Sequence, residues 1–172
     1  MRYCKTTTEN HSVAFDFPNC IEAFDTIITN EDENHIIATP LFREDETAIN
    51  LDAVERIAAN NEARDLNKSI DIAFGLSEIG TNVRFIVMTE FKLNYQNGVR
   101  NFKLKDINEK ITHSSNLLGN TVSIYPVCFF VFSENHVNEA INKLSRFYPD
   151  PEVRKTRLAI TIHSLRSFFF DH

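Results

Sequence analysis

After residue 68 the sequence changes period. Across residues 69–76 the apolar side chains Ile70, Ile72, Phe74 and Leu76 alternate with Asp71, Ala73 and Gly75, the pattern of a strand with two unlike faces. A turn over 78–82 containing Gly80 leads into a longer stretch, 83–93, that reads as a second strand. Strands this close in sequence predict a hairpin. A third strand is expected at 121–133, where the run Ile124 to Phe132 is apolar enough to be buried on both faces.

Helical spacing surrounds this β-rich centre. Residues 19–29 read as a short helix after Pro18, with Ile21, Phe24 and Ile28 on one side. An acidic turn follows at 30–34, and 35–42 reads as a strand that Pro40 confines to an edge or an end. Residues 47–65 read as a helix presenting Asn50, Val54, Ile57, Ala58 and Asn61, capped by Asp45 or Thr47. Further helices are expected at 103–118, stopped by Gly119, and at 135–147, ended by Pro149 and Pro151. The tail 152–170 is read as helix because Asp150-Pro151-Glu152 is a good helix start. The order helix, hairpin, helix, strand, helix defines an α/β domain. The expected organisation is a single domain, with an acidic extension over 1–44 packed on a core over 45–172.

Composition narrows the function. The chain has 172 residues, 42% of them apolar, with 15 Phe and no Trp, enough for one sizeable core. Only 4 Gly are present, which argues against a glycine-rich phosphate loop. The three cysteines, Cys4, Cys20 and Cys128, have no C-x-x-C spacing, so neither a disulfide framework nor a zinc knuckle is indicated. The six His lack any H-x-x-x-H pattern, which argues against zinc. No apolar leader opens the chain, and its longest apolar run is about half of a membrane span. The expectation is a soluble, cytoplasmic protein that does not engage a membrane.

Charge is unevenly spread. The net charge is −6, but residues 1–66 carry 5 Lys/Arg against 14 Asp/Glu, while residues 67–172 carry 13 against 10. A local basic face, not the total, decides phosphate binding. Lys103, Lys105 and Lys110 are the candidate phosphate contacts, with Arg100 beside them.

The hairpin carries the chemistry. On the second strand Arg84, Ile86, Met88, Glu90 and Lys92 share a face, which puts Glu90 and Lys92 roughly 6–7 Å apart along it. Asp71 shares its face with the small Ala73 and Gly75, which leave room beside a carboxylate. With adjacent strands about 4.8 Å apart, a suitable register brings Asp71 and Glu90 within reach of one ion. Two carboxylates with waters and a backbone carbonyl form the oxygen-rich set that magnesium prefers, manganese being the close substitute. A nearby lysine ammonium orients water or balances charge on phosphorus. The same three residues also fit a plain cross-strand salt bridge, and both readings stand at this point.

The segment SIDIAFGL followed by RFIVMTEFKLN resembles the core of the PD-(D/E)XK phosphodiesterases, the restriction-endonuclease-like superfamily. Asp71 corresponds to the motif Asp, and Glu90-Phe91-Lys92 to its (D/E)-x-K. The resemblance covers about residues 45–147, although Ile70 stands where the motif has Pro and no first core strand is evident unless it is 35–42. It implies a mixed central sheet flanked by helices. It also implies magnesium-dependent (or manganese-dependent) hydrolysis of nucleic acid, DNA ahead of RNA. Asp71 and Glu90 would be the metal ligands and Lys92 the water-positioning group. Many members add a helical carboxylate, for which Glu55 is the choice here and Glu62, Glu46 and Glu22 remain open. A homodimer is left open. The competing expectation is a binding module, of the same or another α/β fold, that has no active metal site and docks nucleic acid or a basic protein.

Overall fold

The computed structural model describes residues 1–32, 37, 38, 40–94, 99 and 102–171. Its centre is the expected hairpin. The strand β4 (Ile72–Ser77) pairs antiparallel with β5 (Arg84–Lys92), with Ile72 opposite Thr89 and Ser77 opposite Arg84. After the hairpin comes the helix α5 (Leu104–Leu118), which stops at Gly119 in a positive-φ conformation (φ 64°) that favours glycine. The chain then returns through β7 (Cys128–Phe132), parallel to β5, the crossover geometry that a helix permits.

The sheet is mixed and has eight strands among the described residues. Before the hairpin run β1 (Arg2–Tyr3), α1 (Lys5–Glu9), α2 (Ser12–Asp16), β2 (Ile21–Ala23) and α3 (Phe24–Glu31). The order β2-β3-β4-β5-β7-β8 includes β3 (Thr47–Asn50) and β8 (Arg157–Thr161), while β1 pairs with β4 and β6 (Ser123–Ile124) with β5. Residues 1–44, expected as an extension packed on the core, therefore supply two strands of the same sheet.

Several elements differ from the sequence reading. Residues 19–29 are not one helix: a 3₁₀ turn at Pro18–Cys20 and β2 precede α3. The helix read over 47–65 is β3 followed by α4 (Leu51–Glu62). Asn50 is its cap, accepting from the Ala53 N–H at 3.0 Å, in place of Asp45 or Thr47. Its inner side is Leu51, Val54, Glu55 and Ala59, whereas Ile57 is exposed. The strand read over 35–42 falls partly outside the described residues, and the strand that precedes and pairs antiparallel with β4 is β3. The tail is not one helix either. It forms α7 (Pro151–Arg154), β8 and α8 (Ile162–Phe169) after α6 (Val137–Phe147).

Alternation then builds a layer on each side of the sheet. One face presents Ala73, Ile86, Met88, Phe130 and Phe132 to α2, α4, α5 and α6. The other presents Phe74, Leu76, Val87, Phe91 and Val131 to α3 and α8. Phe24 and Phe74 are fully buried and meet edge to face at 5.2 Å. Each such side chain contributes about 1.5–3 kcal/mol through burial. Asp71, Glu90 and Lys92 belong to the first face, beneath α5.

Candidate metal and phosphate site

Asp71 immediately precedes β4. Continuing the ladder past Ile72–Thr89 places it opposite Glu90, and directly opposed residues project to one side of the sheet. Leu51 donates its N–H to the Asp71 carbonyl at 2.9 Å, and Ile70 donates to Ser114 Oγ of α5 at 2.7 Å. The approach to the strand is thus fixed from both α4 and α5. Asp71 Oδ2 accepts the Phe91 N–H at 2.5 Å, which aims the carboxylate across the hairpin.

Two ammoniums converge on this pair. Lys110 Nζ of α5 lies 2.6 Å from Glu90 Oε1 and 3.5 Å from Asp71 Oδ1. Lys92 Nζ pairs with the same Glu90 oxygen. The second oxygen, Glu90 Oε2, is buried with no hydrogen-bond partner among the described residues. A buried carboxylate oxygen left unsatisfied is costly, and its usual compensation is a cation or water.

Electrostatics divide the two carboxylates. Burial, then the Glu90 charge, push Asp71 well above its ordinary value, and the lysines offset only part of that. Burial alone would raise Glu90 too, but Lys92 and Lys110 together outweigh it and hold Glu90 below its usual range. Lys110 is desolvated as well, yet Glu90 and Asp71 keep it above its ordinary value and so protonated. The site therefore pairs a charged Glu90 with an Asp71 that resists ionisation. Arrival of a divalent cation would reverse that resistance.

A cavity of about 330 Å³ opens beside the cluster, lined by Lys68, Glu90, Lys92, Lys103, Asp106 and Lys110 among others. Of the expected phosphate contacts, Lys103 and Lys110 line it. Lys105 points away, 84% exposed and paired with Glu109 at 3.6 Å. Arg100 lies outside the described residues. Lys68, which sequence reasoning missed, bonds Asp106 at 2.6 Å and Glu109 at 3.3 Å across the rim.

Glu55 is not brought to the cluster. Its carboxylate is buried and held elsewhere, by Arg64 at 2.5 and 3.1 Å, by the Asn67 N–H at 2.7 Å and by His113 Nε2 at 2.7 Å. The Arg64 pair chiefly lowers its pKa to about 2. Glu46 pairs with Arg43 and Arg166, Glu22 accepts from Asn50, and Glu62 pairs with Arg64. The carboxylates whose ionisation responds to Glu90, Lys92 and Lys110 are instead Glu31, at the end of α3, and Asp52, in the first turn of α4. Burial raises both. The signal for Asp52 was its place just after a short strand, hidden because that strand was read as helix.

Among the described residues no three His, Cys, Asp or Glu side chains are grouped to hold a metal ion, so a cation here would rest on Asp71 and Glu90 with water. Magnesium accepts such a set, because it retains waters and binds through one or two carboxylates. No described helix is long and apolar enough to cross a membrane. No family model, no curated protein and no solved structure matches this chain.

Proposed function

We propose that the chain is a metal-dependent phosphodiesterase of the restriction-endonuclease-like type, acting on nucleic acid, DNA ahead of RNA. The observation that carries this reading is the buried, unpartnered Oε2 of Glu90, a residue that neighbours Asp71 and lines a lysine-rich cleft. Order of elements supports it in part: α3, β3, the β4–β5 hairpin, α5 and the parallel β7 follow the helix, strands, helix, strand order implied by the Asp71 and Glu90-x-Lys92 motif, with α4 inserted between β3 and β4.

Asp71 and Glu90 would hold a magnesium or manganese ion, which when bound polarises a phosphoryl oxygen and lowers the pKa of water. The remaining work falls to the chain's own groups. Lys92, released from Glu90 Oε1, positions water at the sheet end of the cleft. Lys110 stays protonated and meets charge developing on the phosphoryl oxygens. Lys68 and Lys103 track the phosphodiester backbone, which makes binding weaken with salt. The Phe91 N–H keeps Asp71 aimed while the lysines exchange partners.

A second reading is favoured by one observation: both ammoniums already compensate Glu90, as in a binding module that needs no ion. The adjacent cleft weighs against it. A cleavage assay with magnesium or manganese on plasmid and single-stranded DNA separates the two. Cleavage by the wild type, lost in folded Asp71→Ala and Glu90→Ala, supports the enzyme. Equal cleavage by the variants, or none by the wild type while it binds DNA, overturns it.

A further inference from the structure

A second cavity, of about 490 Å³, lies along the solvent side of α5. That volume falls within the range of small-ligand sites, about 300–1,000 Å³. Asn108, Thr112 and Asn116 recur every four residues and so form one row along the helix, flanked by Glu109 and His113. Asn67 and Lys68, from the segment that leads into β4, complete the lining.

This groove meets the lysine cleft at one residue. Lys68 lines both, bonding Asp106 of the cleft at 2.6 Å and Glu109 of the groove at 3.3 Å. Solvent-exposed ion pairs add little stability, so a phosphate can replace these carboxylates on Lys68. A strand whose phosphate lies in the cleft therefore carries a neighbouring nucleoside over the groove.

The polar groups of the groove are held from behind. Buried Glu55 accepts the Asn67 N–H at 2.7 Å and bonds His113 Nε2 at 2.7 Å, so one carboxylate fixes both the loop and the helix. With Glu55 ionised, Nε2 carries the proton, and Nδ1 of the neutral ring is an acceptor. Tyr148 donates to Asn108 Oδ1 at 2.8 Å, which leaves the Asn108 amide hydrogens as donors. The side chains of Asn67, Thr112 and Asn116, and His113 Nδ1, have no hydrogen-bond partner among the described residues. No Phe or Tyr lines the groove, so hydrogen bonding rather than stacking has to discriminate between ligands.

An asparagine amide pairs bidentately with adenine, and a carboxylate accepts from the cytosine amino group. Guanine is read chiefly by Arg or Lys, and the one such group here, Lys68, is the phosphate contact. Thymine would turn a keto oxygen toward Glu109. We propose that this groove reads the base of the nucleotide next to the phosphate in the cleft, selecting an exocyclic amino group beside an unprotonated ring nitrogen, as in adenine and cytosine. The inference rests on the proposed function, whose site supplies the phosphate contacts, and it makes Asn67 and Asn116 specificity-determining residues.

The test is fluorescence anisotropy of the full chain with short single-stranded oligo(dA), oligo(dC) and oligo(dT), in EDTA so that no strand is cut. Oligo(dA), oligo(dC) or both should bind at least about fivefold tighter than oligo(dT). The double variant Asn67→Ala/Asn116→Ala removes two exposed amides and keeps the Asn67 N–H for Glu55, so it should stay folded by circular dichroism. Its three affinities should converge. Lys68→Ala should instead weaken all three alike and preserve their ratio. Equal binding of the three by the wild type, a preference for oligo(dT), or a ratio that survives in the double variant overturns the inference and leaves the phosphodiesterase standing. Failure to bind any of them at low salt overturns both.

Discussion

Asp71 and Glu90 face each other across the open end of the β4–β5 hairpin and share a single ammonium, Lys110 Nζ, at 3.5 and 2.6 Å. Removing it tests whether the pair can hold a cation, as the proposed function requires. Lys110→Met leaves two neighbouring buried carboxylates with Lys92 alone, and breaking a buried ion pair costs about 3–5 kcal/mol. A divalent cation, if held by both carboxylates as proposed, would offset that loss. Thermal unfolding with and without magnesium is therefore expected to show a larger stabilisation of Lys110→Met than of the wild type. Equal shifts would mean that the carboxylates do not meet on one ion.

Asp71 carries the second prediction, through pH. Its folded-state pKa is raised, by burial first and by Glu90 second. A raised pKa means that the group's contribution is present below its ordinary value of 3.8 and is lost as pH rises through the folded value. Asp71→Asn keeps an oxygen for the Phe91 N–H but never ionises. Urea unfolding should find the variant and the wild type close in acid, with the variant more stable toward neutral pH, while cleavage is abolished. A variant that loses stability most at neutral pH contradicts the assigned direction.

The hairpin was legible because period-two alternation survives a one-residue check: Asp71, Ala73 and Gly75 on one strand and Glu90 and Lys92 on the other had to share faces. Lys110 was read as a phosphate contact and its role between the carboxylates was not, because a helix-to-strand contact has no sequence period. The strand β3 was lost inside a helical reading, since Thr47–Asn50 is too short to alternate visibly and runs directly into α4. That error carried the helical carboxylate with it. Once α4 starts at Leu51, Glu55 points to Arg64 and His113, and Asp52 takes the position near Ser69 and Lys110. The edge strand β8 hid behind a helix-start signal that the four-residue α7 uses up.

Glu55 gives a prediction that separates packing from chemistry. Arg64, the Asn67 N–H and His113 together lower its pKa from 4.5 to about 2, against the opposing effect of burial. A lowered carboxyl stabilises the fold above 4.5, and that stability is lost as pH falls toward about 2. The contribution is on the order of 2–3 kcal/mol. Glu55→Gln should lose it at neutral pH and show a flatter acid dependence, yet retain cleavage. Loss of cleavage in folded Glu55→Gln would return this residue to the site.

Gly75 tests whether the first ten residues belong to the core. It lies on the site's face of β4, where Thr8 Oγ1 accepts its N–H at 2.8 Å and Cys4 donates to its carbonyl at 2.8 Å. A Cβ added there would stand 2.5 Å from Thr7 Cβ, 2.6 Å from Thr8 N and 2.7 Å from Cys4 O. Two of those three atoms are backbone, so no rotamer change relieves the clash, and α1 must move off the sheet. Overpacking of a rigid site costs about 1–3 kcal/mol or more. Gly75→Ala is therefore expected to lower the unfolding midpoint and to speed amide exchange across residues 1–16 ahead of the hairpin. If α1 were only laid over a finished core, the variant would lose exchange protection there with no change in the midpoint. A shift in both shows that β1 and α1 fold as part of the sheet that holds Asp71 and Glu90.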